Sequence, residues 1–138
     1  MTMAQKKDEG LKGNEKIEQA ICQLQQEATQ EQLAHTLTVI RRRMRESGQV
    51  VVAVEPHLAN NQMRLRVVQT ADGASWWYAF TSFDEETRGA EAVQSTFLVD
   101  IEKLFDAVLQ VSEIQGVILN PWNRTIQLDK NLIRIIKG

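Results

Sequence analysis

Cysteine, histidine, proline and tyrosine are all scarce in this chain: one Cys, two His, two Pro and one Tyr among 138 residues. Cys22, being alone, forms no internal disulfide, which fits a reducing compartment. With no adjacent histidine and no Cys-x-x-Cys, it reads as a small packing residue. His35 and His57 lie far apart, without an acidic or cysteine partner at ligand spacing, so neither a zinc site nor a catalytic dyad is indicated. No apolar run approaches the roughly 20 residues a membrane helix needs, and the N-terminus lacks the apolar segment of a signal peptide. The chain therefore reads as cytoplasmic. Neither sign of charge dominates: 16 Lys and Arg face 18 Asp and Glu, for a net charge of −2. No global field argues for nucleic acid or an anionic membrane. No G-x-G-x-x-G follows a strand, so a dinucleotide site has no support, and no cofactor or metal is expected.

What remains is an ordinary globular composition, 43% hydrophobic and 25% charged. The length suits one domain, burying roughly 68–70% of its unfolded surface. The rest of the chain is organised around residues 97–128. Asp100 reads as the N-cap of a helix over 100–112. Ile101, Leu104, Phe105, Val108 and Leu109 form one apolar stripe on it. Past Gly116, Val117-Ile118-Leu119 predicts a strand buried on both faces, ended by Pro121. A polar turn, Asn120-Pro121-Trp122-Asn123, leads to a return strand over 125–128.

Residues 1–13 are polar and mixed in charge, and read as a flexible tail before a domain over 14–138. Asn14 is placed as the cap of a helix carrying Ile17, Ala20, Ile21, Leu24 and Ala28. Thr29 and Gln32 make a small capping box that either starts a second helix or marks a kink. Leu33, Ala34, Leu37, Ile40 and Met44 continue as a stripe until Ser47-Gly48. A strand over 50–54, a half-buried strand with Met63, Leu65 and Val67 inward, an Asp72-Gly73 hairpin turn and a strand over 76–80 read as a meander. Asp129 caps a last helix bearing Leu132, Ile133, Ile135 and Ile136. The expected class is α+β: a single domain with a mostly antiparallel sheet and helices on one face.

Three features stand out as surfaces. Arg41, Arg42, Arg43 and Arg45 surround Met44, and the arginines fan over the remaining helix faces. Such a cluster can hold phosphate bidentately, with Arg64 and Arg66 adding to it if they share its side; the bland alternative is a solvated helix end whose cations complement the dipole. Trp76, Trp77 and Tyr78 are consecutive, so on a strand one tryptophan must face away from the main core. Trp122 lies in a tight turn, where it is either an interface anchor or a cover for its own hairpin. Acidic Asp84-Glu85-Glu86 reads as a solvated first turn of helix, capped by Thr81 or Ser82.

The segment Ala79-Phe80-Thr81-Ser82-Phe83-Asp84-Glu85-Glu86, followed by Gly116-Val117-Ile118-Leu119-Asn120-Pro121, resembles the SseB family N-terminal domain. That family shows F-T-S before acidic residues and, later, glycine, three hydrophobic residues and N-P. The resemblance covers residues 78–137 well and the upstream strands loosely. It implies a small bacterial α+β domain with no established catalytic machinery. The expected function is therefore a non-enzymatic protein-interaction or adaptor module using Phe80, Thr81, Ser82, Asn120, Pro121, Trp122 and Asn123. Its partner would be another protein or a second copy of the chain, with no membrane involved. The alternative is a phosphate or nucleic-acid binding module centred on Arg41, Arg42 and Arg45; an enzyme ranks third, for want of a nucleophile–base pair.

Overall fold

A computed structural model describes residues 9–57, 62–65, 67–82, 95–121 and 124–138. Apolar residues recurring at helical spacing build α1 (Glu15–Gln26) and α2 (Gln30–Arg45). Thr29 separates them, its hydroxyl accepting a hydrogen bond from the Gln32 N–H at 3.1 Å, so the capping box starts a second helix. The period then changes to β1 (Gln49–His57), β2 (Gln62–Leu65), β3 (Val67–Gln69) and β4 (Ser75–Phe80). After them come β5 (Ser95–Asp100), α3 (Ile101–Gln110), β6 (Ile114–Leu119), β7 (Ile126–Asp129) and α4 (Lys130–Lys137). Asp129 caps α4 as expected, accepting from the Leu132 N–H at 2.9 Å.

The strands form one seven-stranded sheet among the described residues, antiparallel except where β4 runs parallel to β6. This is the expected α+β class. Strand β1 serves three neighbours: β5 along residues 49–54, β4 at Val51 and Val52, and β2 from Val54 to His57. The expected meander is present with its middle strand divided, β2 pairing with β1 and β3 with β4. The alternation is kept across the division, since Leu65 pairs with Val54 and Val67 with Trp77 on the helix side. Val67, placed inward by sequence, is still 46% exposed, and Val68 packs on the other face.

All four described helices pack on one face of the sheet. Ile17, Ile21, Leu37, Ile40, Leu104, Phe105, Val108 and Ile133 meet Val50, Val52, Ala79, Val117, Leu119 and Leu128 there. Val51, Ala53, Tyr78, Phe80 and Ile118 point to the opposite face and are also buried. Tyr78 and Phe80 meet edge-on on that face, ring centroids 5.7 Å apart. Trp77 joins the helix side and Trp76 the other, as consecutive strand positions require. Strand β6 is buried on both faces, as its continuous apolar run implies. Gly116 belongs to it because a Cβ would lie 2.1 Å from the Leu128 carbonyl oxygen of β7.

The β3–β4 turn uses Gly73 at φ 85°, with Gly73 N–H donating to Thr70 O at 2.9 Å. The Asp72 carboxylate there accepts from the Thr70 hydroxyl and from the Ala74 N–H at 3.2 Å. These bonds, the Thr70 one foremost, hold its pKa below the usual carboxylate value. The turn's small stabilisation is therefore present above the ordinary Asp range and lost as pH falls through the lowered value.

Three expectations need correction. Asp100 stands at the N-cap position of α3 as expected but makes no side-chain cap; its carboxylate accepts from Gln49 Nε2 at 3.0 Å. Asn14 stands at the N-cap position of α1, its carbonyl accepting from the Glu18 N–H at 3.1 Å, but its side chain turns inward and does not cap. Residues 9–13 are not a loose tail: Glu9–Leu11 form a 3-10 turn, Leu11 is buried, and Arg43 Nη2 donates to Gly10 O at 3.0 Å.

The packing yields two predictions. Leu104→Ala or Phe105→Ala removes a buried side chain from the helix side of the core and should cost about 2–5 kcal/mol in denaturant melts. A loss under about half a kilocalorie for both would show that α3 is not docked. Gly116→Ala should lower the melting temperature by parting β6 from β7; hydrogen exchange should then show the Val117 amide losing protection before Val51.

Candidate functional site

The parallel pairing of β4 and β6 aligns Ala79 with Leu119, so both strands end at one point. Asn120 extends the ladder there, its N–H donating to Ala79 O at 2.8 Å. It then turns into the left-handed region at φ 54°, a conformation asparagine tolerates better than most residues. The Thr81 N–H donates to Asn120 Oδ1 at 2.9 Å, and Asn120 Nδ2 donates back to Thr81 Oγ1 at 3.1 Å. The Thr81 hydroxyl proton goes to Glu18 Oε2 on α1 through a short hydrogen bond. Glu18 Oε1 in turn faces Arg124 Nη1 at 3.4 Å. Arg124 O accepts from Asn120 Nδ2 at 3.4 Å, and the Thr125 hydroxyl donates to Asn120 O. The Arg124–Thr125 end of the segment is thereby tied back to Asn120, and Asn120 to the buried Thr81.

A second set of polar groups adjoins the first. Asn14 Nδ2 donates to Thr81 O at 3.0 Å and to Gln49 O at 2.7 Å, binding the ends of β4 and β1. Its Oδ1 accepts from Arg43 Nε at 2.9 Å. Arg43 also donates to Gly10 O and pairs with Glu46 Oε1 at 3.0 Å. Asn14, Glu18, Arg43, Thr81 and Asn120 are all buried, and each has partners. Thr81 gives its single hydroxyl proton to Glu18 and accepts from Asn120, so its bonding capacity is used inside the fold.

This geometry revises the expected contact surface. Phe80, Thr81 and Asn120 are 1%, 0% and 0% exposed, because they close the end of the sheet. Ser82 and Pro121 follow the buried pair and are half-buried. Trp122 and Asn123 lie outside the described residues, as do Asp84-Glu85-Glu86. Sequence reasoning missed Asn14, Glu18 and Arg43 as interior groups. Asn14 and Glu18 share the spacing of Ile17 and Ile21, i, i+3, i+4 and i+7, which places them on the inward face of α1. That spacing was the available signal.

The arginine run also divides. Arg43 is buried, whereas Thr38, Arg41, Arg42 and Arg45 follow i, i+3, i+4 and i+7 along the outer face of α2. These four and Glu46 line one open concavity of about 490 Å³. Arg42 and Arg45 are exposed; Arg41 is half-buried beside Gly138, with its Nε shielded from solvent and no hydrogen-bond partner. The side chains of Arg64 and Arg66 lie outside the described residues. Cys22 is half-buried and His35 exposed. Among the described residues no cluster of His, Cys, Asp and Glu is arranged to hold a metal ion, and no helix is long and apolar enough to cross a membrane.

Fold and site together define an α+β domain in which a parallel strand pair inside an antiparallel sheet is closed by a threonine–asparagine clasp. The chain belongs to the SseB family: residues 17–134 match the SseB protein N-terminal domain. Comparison with curated proteins and with solved structures gives no match.

The clasp predicts strong coupling. Asn120→Ala leaves the Thr81 N–H without its acceptor and should cost about 2–4 kcal/mol; Thr81→Val removes the hydroxyl that donates to Glu18 Oε2 and should cost about 1–3 kcal/mol. A double-mutant cycle read by urea melts should return a coupling of at least about 0.5 kcal/mol. Strict additivity would mean the two side chains act independently.

Proposed function

We propose that this chain is a non-enzymatic protein-interaction module whose partner docks on the turn at the ends of β4 and β6. The observation that carries this reading is the clasp itself. Thr81 holds Asn120, and Asn120 holds Arg124 and Thr125, so both ends of the segment containing Trp122 are fixed. Fixed ends reduce the ordering cost of binding, and Pro121 restricts the chain further. Trp122 supplies the apolar area of an anchor, flanked in sequence by Pro121 and Asn123. The polar groups of Thr81, Glu18 and Asn120 bond one another, which supports a structural rather than a catalytic role for the two family motifs. A second copy of the chain is one possible partner, a different protein the other.

The test immobilises the full chain and compares proteins retained from host extract by wild type and Trp122→Ala, followed by titration of the purified partner. Trp122→Ala should weaken that partner at least tenfold, about 1.4 kcal/mol, while the melting temperature stays within a few degrees. Undiminished affinity would remove the turn from the interface. A variant keeping only Trp122, with Trp76 and Trp77 replaced by Phe, should be readily quenched by acrylamide. Strong shielding in a verified monomer would deprive the anchor of its main residue.

A further inference from the structure

The concavity on α2 is separate from the turn and from the clasp, and its chemistry is two-sided. Arg41, Arg42 and Arg45 offer guanidinium donors along little more than one helical turn. Such groups pair well with carboxylates or phosphates. The wall also carries acceptors. Thr38 Oγ1 gives its proton to Ala34 O at 2.9 Å, which leaves the oxygen only lone pairs to present. Glu46 places a half-exposed carboxylate on the rim, held there by Arg43. A matching ligand must bring negative charge and N–H donors together. A phosphate backbone brings charge alone and no donor; a peptide with acidic side chains brings carboxylates with its own backbone amides. Among the described residues no aromatic side chain lines the concavity to stack a base, and the chain as a whole is net negative. Its volume, about 490 Å³, lies in the usual range for ligand sites.

Arg41 supplies a second, independent pointer. Its Nε is shielded from solvent without a hydrogen-bond partner, a state that disfavours the unbound arrangement.

We infer that the Thr38–Arg41–Arg42–Arg45 face of α2 is a docking site for an acidic peptide segment of a partner protein, distinct from the Trp122 turn. The site binds through guanidinium–carboxylate pairs, with Glu46 and Thr38 accepting from the peptide's amides. Selectivity over nucleic acid comes from those two acceptors.

The test measures anisotropy of a fluorescein-labelled oligoglutamate peptide with the full chain, using labelled duplex DNA and competing inorganic phosphate as comparison arms. Three variants accompany the parent: Arg42→Gln/Arg45→Gln, Lys16→Gln/Arg134→Gln with the same charge change on exposed residues elsewhere, and Trp122→Ala. The peptide should bind the parent, weaken between about 50 mM and 200 mM salt, and lose roughly tenfold in affinity in Arg42→Gln/Arg45→Gln alone. Both replaced arginines are exposed, so that variant should keep the parent's circular dichroism melt. Trp122→Ala should bind the peptide as the parent does, which separates this site from the turn. Absence of peptide binding by the parent would overturn the inference. So would equal losses in the two charge variants, tighter binding of the duplex than of the peptide, or displacement of the peptide by phosphate at matched ionic strength.

Discussion

Arg43 is the constraint on which the surrounding structure depends. A guanidinium is always charged, and burying it is unfavourable unless its donors are met. Here Nε reaches Asn14, one terminal nitrogen reaches Gly10 O and the other reaches Glu46. Satisfying one side chain thus draws together the 3-10 turn, the start of α1 and the end of α2. Asn14 then passes the constraint to the sheet, because its amide donates to Gln49 O on β1 and Thr81 O after β4. Hydrophobic burial supplies most of the stability of such a domain, but it is non-directional. The Arg43–Asn14 joint is directional and sets how the helical layer is seated on the strands.

The two family motifs meet because of one topological choice. Had β6 run antiparallel to β4, Thr81 and Asn120 would lie at opposite ends of the pair. The parallel pairing brings both C-terminal ends together, and there the regular ladder stops. Side chains take over from backbone: Asn120 Oδ1 receives the Thr81 N–H, and Asn120 Nδ2 covers the threonine oxygen. Glu18 completes the set from α1 with Arg124 opposite. A buried polar set of this kind is stabilising only when each member is satisfied, which explains why a small hydroxyl and an amide, each donor and acceptor, stand there.

Much of this was legible in the sequence, wherever one physical signal dominated. The stripe Ile101, Leu104, Phe105 and Val108 is buried as its period requires, and Thr29 and Asp129 cap as their chemistry suggests. Asp72-Gly73 turns the chain where expected. The failures occur where tertiary partners compete with local ones. Asn14 and Asp100 are good local caps, yet each finds a more distant partner: Arg43 for one, Gln49 for the other. Thr81 and Asn120 are polar and adjoin turns, which locally suggests surface, yet both are buried. Their burial depends on the β4–β6 register, which local pattern does not encode. Val67 keeps the predicted face, opposite Trp77, yet is left exposed there, because facing the helix side does not guarantee cover along the whole strand.

The arginine run joins the interior to the surface. Successive helix residues are rotated by about 100°, so four arginines within one and a half turns cannot share an environment. Arg43 is the one turned inward, and its bonds to Asn14 and Gly10 O fix the rotation of α2 about its axis. With the rotation fixed, Arg41, Arg42 and Arg45 are held on the outer side beside Thr38. Arg43 also reaches Glu46, pairing with that carboxylate at the rim of the outer concavity. The buried arginine therefore does more than lock the layers. It sets which guanidinium groups of the run face outward.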